Sequence, residues 1–251
     1  MCLIPSINDK VSTDALLNSI VNNYQLYGLP AVIVLNYGTT KMGAVDDIRT
    51  IKKFLVEHNI PHYLHVDAAL YGGIASYEKD APHIDFSHLD IDSISISLHK
   101  YLGLQECKGV LITKDSNKKT FIDYIGQNDT TFTGSRDFPP YSTYQKVNES
   151  LNRVDVNEYI ENVNYLKEKF ILNNIEYWQS EDNSNIFVIE KPSDEVCLKY
   201  QLATFNENDK EYAHIIIFGY HKKNVIDELV NEIKYDKRKS KVYEKISNNQ
   251  L

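Results

Sequence analysis

The sequence predicts an α/β fold, with a mostly parallel sheet in a partial large domain over residues 1–154, a small α+β domain over 155–235 and a polar tail over 236–251. Three observations predict it. Four runs rich in β-formers, AVIVLNYG (31–38), YLHVDAAL (63–70), DSISIS (92–97) and KGVLITK (108–114), are short and bounded by turn residues, as buried strands are. AVDDIRTIKKFLVEHN (44–59) lies between the first two and carries Val45, Ile48, Ile51, Phe54 and Leu55 at helical spacing. Buried strands with helices between them imply a largely parallel sheet covered on its faces.

The later elements follow in order. GSRDFPP (134–140) is turn-forming, and long helices are expected over 141–153 and 156–173, the second capped by Asp155. NIFVIEK (185–191) and AHIIIFG (213–219) read as strands, with helices over Ser193 to Leu202 and Lys222 to Ile233. KYDKRKSKVYEKISNNQL has little periodicity and reads as a frayed helix or disordered tail.

Composition excludes several functions. A formal charge of −8 argues against a polyanion-binding surface, so nucleic acid is not expected as a partner. Cys2, Cys107 and Cys197 are scattered and odd in number, which suits a reducing, cytoplasmic compartment and forms no zinc spacing. No stretch reaches the roughly 20 apolar residues of a membrane span, and MCLIPSINDK lacks a signal-peptide pattern. The histidines show no metal-ligand spacing, and the chain holds no G-x-S-x-G, Walker or G-x-G-x-x-G motif.

Chemistry is expected at the carboxyl ends of the strands, where an open α/β sheet forms its ligand crevice. Three such ends stand out: NYGTT, HVDAAL and SLHKY. Asp67 sits inside an apolar run and requires a cationic or hydrogen-bonding partner. Lys100 follows one strand–crossover–strand interval later, at the end of a neighbouring strand. An amine able to form an imine and an acid able to hold a pyridinium nitrogen are what pyridoxal phosphate requires of its protein. Ala68 and Ala69 leave room for a flat ring, and Ser97 and His99 can serve the phosphate and the imine from one turn. Taken singly, each has a plainer reading: Asp67 as a turn residue, His99 and Lys100 as an exposed pair, Thr39 and Thr40 as β-formers with a capping role. His65 shares a face with Asp67 and reads as a structural histidine.

NYGTTKMGAVDDI, YLHVDAALYGG, IDSISISLHKYLG, TFTGSRD and QLATFNENDKEYAHIIIFGYHKKNVIDELVNEI together resemble the group II pyridoxal-phosphate-dependent amino-acid decarboxylases, above all the bacterial histidine decarboxylases and related plant serine decarboxylases. The resemblance implies a fold-type I architecture, a homodimer with sites at the subunit interface, and conversion of an amino acid to its amine and CO2, with histidine favoured as substrate and serine next. It implies Lys100 as the Schiff-base lysine, Asp67 as the pyridinium partner, Ala69 against one ring face, Ser97 and His99 as flanking contacts, Thr39 or Thr40 near the phenolic edge, and Ser135 near the substrate. Tyr71, Tyr101 and Phe138 are candidates to line the substrate pocket, with ordinary packing an equal reading for each in a chain of 18 tyrosines. The family's large domain begins upstream of the position matching Met1, and that portion carries a phosphate cradle and a stacking histidine. Leu98 stands where glycine is usual, and Asp137-Phe138 where Asn-Gly is usual. The alternative reading is a non-catalytic remnant or an interaction module that pairs with a full-length homologue.

Overall fold

The computed structural model describes residues 2–75, 84–101, 109–117, 121–124, 126–128, 145, 148–149, 156–181 and 184–248. The chain divides into two compact units, one formed by Met1–Thr39 and Ala44–Val154, the other by Thr40–Gly43 and Asp155–Leu251.

The first unit is organised by a four-stranded sheet of β3 (Ala31–Asn36), β4 (His62–Asp67), β5 (Ser93–Ser97) and β6 (Gly109–Thr113), in that spatial order. β3, β4 and β5 are parallel, whereas β6 runs antiparallel to β5. A short helix, α3 (Gly72–Ala75), follows β4, and another hairpin, β7 (Phe121–Ile122) and β8 (Gln127–Asn128), follows β6. Ahead of the sheet come a small hairpin, β1 (Ser6–Ile7) and β2 (Lys10–Val11), and helix α1 (Thr13–Tyr27), neither of which the sequence reading had located. Ser12 caps α1 by accepting the Ala15 N–H at 3.4 Å, and Gly28 ends it in the left-handed region. α2 (Ile48–Glu57) starts four residues later than expected because Asp47 caps it, its side chain accepting the Thr50 N–H. Val45, expected in that helix, instead bridges to Tyr37.

Period-two alternation divides the sheet into two unlike faces. Ile33, Leu35, Leu64, Val66 and Ile94 are buried in one cluster with Leu16 and Ile20 of α1 and Ile48, Ile51 and Leu55 of α2. The opposite face carries Val32, Val34, Tyr63, His65, Asp67, Ser93, Ser95 and Ser97, as the strand registers require. On it Val32 and Val34 are 77% and 61% exposed. The buried acid Asp46 stitches the N-terminal hairpin to the sheet, its two oxygens accepting the Val11 and Asn36 N–H groups at 2.7 Å each.

The second unit contains α5 (Val156–Leu172), β9 (Ile186–Glu190), α6 (Asp194–Tyr200), β10 (Ala203–Glu207), β11 (Lys210–Ile216) and α7 (Lys223–Asn248). Its sheet is antiparallel in the order β10-β11-β9, three strands rather than the two expected. α7 continues to Asn248, so of the two readings of the tail, helix and disorder, residues 234–248 take the helical one. Phe170, Phe187, Ile189, Ile215, Val230 and Ile233 are among the buried residues of this unit. The loop residues Thr40–Gly43 are tied into it: Lys41 pairs with Glu207 at 2.8 Å, Ser180 donates to the Gly43 carbonyl at 2.7 Å, and His214 Nδ1 lies 3.3 Å from the Lys41 carbonyl. The helix expected over 141–153 lies outside the described residues except at 145, 148 and 149, which are helical, and Asp155 also lies outside them.

Candidate active site

β4 and β5 bring two of the three chemically marked strand ends side by side. Asp67 is the last residue of β4 and pairs in register with Ser95. β5 ends at Ser97, and the chain turns at once into a short helix, α4 (Leu98–Tyr101), which carries His99 and Lys100. The loop after Asp67 is stitched to β5: Ala68 N–H donates to the Ser95 carbonyl, and Ser97 N–H to the Ala69 carbonyl, each at 3.0 Å. Asp67, Ala69, Ser97, His99 and Lys100 are therefore gathered at adjoining carboxyl ends of two parallel strands, and all five are half-buried.

Small residues hold this edge tight. The Gly72 backbone passes so close to Ala68 that a Cβ there would sit 2.4 Å from the alanine Cβ. Gly38, at the end of β3, has φ +94° and lies under Tyr71, whose Cβ a side chain at 38 would meet at 2.7 Å. Tyr71 is buried and stacked on Tyr37 at 5.3 Å between ring centroids, the packing role that stood as an even alternative to lining the substrate pocket. Leu98, where a small residue was the norm, is buried.

The polar groups at the edge are unequally satisfied. Asp67 Oδ1 accepts from the Ala69 N–H at 3.1 Å and the Ser95 hydroxyl at 3.5 Å, while Oδ2 has no hydrogen bond among the described residues. Lys100 has no ion pair among the described residues. Behind Asp67, His65 contacts Ser93 through Nδ1 at 2.7 Å and Ser95 through Nε2 at 3.2 Å, and Tyr63 donates to Ser93 at 2.9 Å. The serines of this network carried no weight in the sequence reading, because in DSISIS they look like the polar half of a strand alternation.

The third marked strand end, NYGTT, adjoins the second: Asn36 is the register partner of Asp67, and the Tyr37 N–H donates to the Asp67 carbonyl at 2.7 Å. Thr39 is engaged in its own turn, donating to Asp9 and accepting the Ala44 N–H at 2.9 Å. Thr40 is exposed and belongs to the segment counted with the second unit. Ser135 and Phe138 lie outside the described residues, as does the Tyr101 side chain. A cavity of about 320 Å³ in the second unit, bordered by Tyr200, His214, Phe218 and His221, contains none of the expected residues.

Comparison with known proteins gives a consistent picture. The family described as the pyridoxal-dependent decarboxylase conserved domain matches residues 1–140. Histidine decarboxylase of Pseudomonas entomophila is 31% identical over 237 residues, covering 90% of this chain and 57% of the relative. That of Acinetobacter baumannii is 29% identical over 247 residues, covering 94% of this chain and 62% of the relative. The chain thus spans about three fifths of the length of these relatives. Among solved structures, L-methionine decarboxylase from Streptomyces sp. 590 superposes with TM-score 0.74 at 22% identity, covering 90% of this chain and 57% of that one. Rhodiola rosea 4-hydroxyphenylacetaldehyde synthase does so with TM-score 0.67 at 20% identity, covering 92% and 54%. These likenesses establish the fold-type I architecture. With more than half of its residues matched by the family, this chain belongs to the pyridoxal-dependent decarboxylases.

Proposed function

We propose that this chain acts in the pyridoxal-phosphate-dependent decarboxylation of an amino acid, histidine by preference and serine next, with Lys100 carrying the cofactor. The observation that carries the proposal is a pair of unspent groups on adjoining strand ends. Asp67 and Lys100 are both half-buried residues, and neither is neutralised by an ion pair among the described residues. A half-buried acid and amine left unspent this way fit a ligand that engages both, and pyridoxal phosphate does so through its ring nitrogen and its aldehyde carbon.

In this reading Lys100 supplies the amine for covalent attachment, and Asp67, ionised, holds a proton on the ring nitrogen. Ala69 is small enough to lie against a flat ring, and Ser97 and His99 flank it. Thr39 is less suited to a cofactor contact than Thr40, because its hydroxyl already serves Asp9 and the Ala44 N–H. Ser135 keeps the substrate-side role that the resemblance implies. When bound, the cofactor supplies a ring that accepts the electron pair released as the carboxylate departs. The chain's own contribution is then electrostatic: a carboxylate fixed in advance where positive charge must be kept.

The test is reductive trapping. Incubation with pyridoxal phosphate, then borohydride, should leave a cofactor-derived mass on the peptide containing Lys100 in the wild type and none in Lys100→Ala. Asp67→Ala should still be trapped, yet lose about a hundredfold or more in kcat for CO2 release. Trapping at another lysine, or normal turnover by Lys100→Ala, overturns the assignment.

A second reading, an interaction module that pairs with a full-length homologue, is favoured by the exposed Val32 and Val34 on the sheet face. Absence of any trapped cofactor would select it. A homodimer in a reducing, cytoplasmic compartment belongs to the first reading. Its support is the family resemblance and the free thiols Cys2 and Cys197. Among the described residues no helix is long and apolar enough to cross a membrane.

A further inference from the structure

Beneath Asp67 the face shared by β4 and β5 carries an unbroken line of polar contacts, and its direction follows from the chemistry of its ends. An ionised carboxylate can only accept. The hydrogen shared by Ser95 and Asp67 Oδ1 therefore belongs to Ser95. Having spent its proton there, Ser95 can only accept from His65, so Nε2, 3.2 Å away, carries hydrogen. A neutral imidazole protonated at Nε2 accepts at Nδ1, which the Ser93 hydroxyl reaches at 2.7 Å. Ser93 in turn accepts from Tyr63 at 2.9 Å. Every donor in the sequence Tyr63, Ser93, His65, Ser95 points toward Asp67.

We infer that His65 is a positioning residue for Asp67, acting through Ser95: by occupying the serine's lone pair it turns the hydroxyl proton onto Oδ1 and so fixes the orientation of the carboxylate. This rests on the proposed role of Asp67 and deepens it. The Ala69 N–H reaches the same oxygen, so two donors converge on Oδ1 while Oδ2 accepts no hydrogen bond among the described residues. Rigid strands set the geometry. His65 and Ser93, like Asp67 and Ser95, are register partners across β4 and β5, and no loop intervenes. Ser93, inside the line, is 1% exposed, so water does not compete for the bonds it makes.

The experiment reads Asp67 directly and needs no cofactor. The chain labelled with carboxyl-13C aspartate is observed by NMR at pH 7, the Asp67 signal being assigned by its loss in Asp67→Asn. Ser95→Ala, which removes a donor to Oδ1, should move the Asp67 carboxyl signal. His65→Leu, which leaves Ser95 in place, should move it in the same direction, and His65→Gln, whose amide offers both a donor and an acceptor, should return it toward the wild-type position. His99 and Lys100 are unaltered throughout. An unmoved signal in His65→Leu overturns the inference, and so does an unmoved signal in Ser95→Ala, which serves alone if His65→Leu does not fold. Failure of trapping at Lys100 would remove the cofactor reading while leaving this measurement free to succeed or fail by itself.

Discussion

At the scale of single residues, what the sequence made legible was chemical discord. Asp67 stands in an apolar run and Lys100 directly follows a strand of isoleucines and serines, so each announced that something besides packing held it there. The partners of His65 were not legible in the same way, because Ser93 and Ser95 acquire meaning only once the register places them across from β4. Asp46 was missed for a related reason: its partners are backbone N–H groups, one of them on a hairpin 35 residues away, and backbone donors leave no mark in a sequence. A histidine in the second unit yields a prediction of the same local kind. Burial holds His221 below the usual imidazole pKa of 6.5, and its Nδ1 accepts the Phe218 N–H at 3.1 Å, so the folded state keeps it neutral. The unfolded chain therefore takes up the proton first as pH falls, and stability should decline as pH drops through and below 6.5. Urea unfolding at pH 7.5 and 5.5 checks this. His221→Leu should show a smaller loss between the two conditions than the wild type, although its absolute stability is lower.

At the scale of elements, the missed pieces share a cause. β1 and β2 are joined by Asn8-Asp9, and β10 and β11 by Asn208-Asp209, all four residues with φ between 50° and 63°. These are two-residue hairpin turns of the kind that demands left-handed backbone at both positions, and Asn-Asp is among the pairs that tolerate it. Asn-Asp between β-formers was thus a usable signal for two hairpins. Helix α1 was legible too, from Ser12 at its start and Gly28 past its end. The reversal of β6 had a subtler sign: residues 98–108 are fewer than the dozen or so a parallel crossover needs. The second hairpin gives a clean test, because glycine avoids the cost of a side chain in left-handed backbone. Asp209→Gly should stabilise the protein by about 1 kcal/mol, measured as a higher denaturation midpoint at unchanged m-value.

At the scale of the molecule, the unequal faces of the parallel sheet matter most. Sheets of this type are ordinarily covered on both sides, yet here Val32 and Val34 are largely open to solvent on the face that bears Asp67. Their exposure predicts a protein that seeks contact along this face. Val32→Thr combined with Val34→Thr should alter unfolding free energy by no more than about 0.5 kcal/mol, while light scattering shows a clear fall in self-association at high concentration. An association state untouched by the double substitution would place the interaction elsewhere.

The four residues Thr40–Gly43 give the chain an architecture that resists dissection. They leave the first body, lodge among Ser180, Glu207 and His214, and return, long before the rest of the second body has been synthesised. A cut at residue 154 would part the second body from four residues that pack within it. The two bodies cannot be exchanged as cassettes, and the ribosome must deliver that segment well over a hundred residues before the body it belongs to exists.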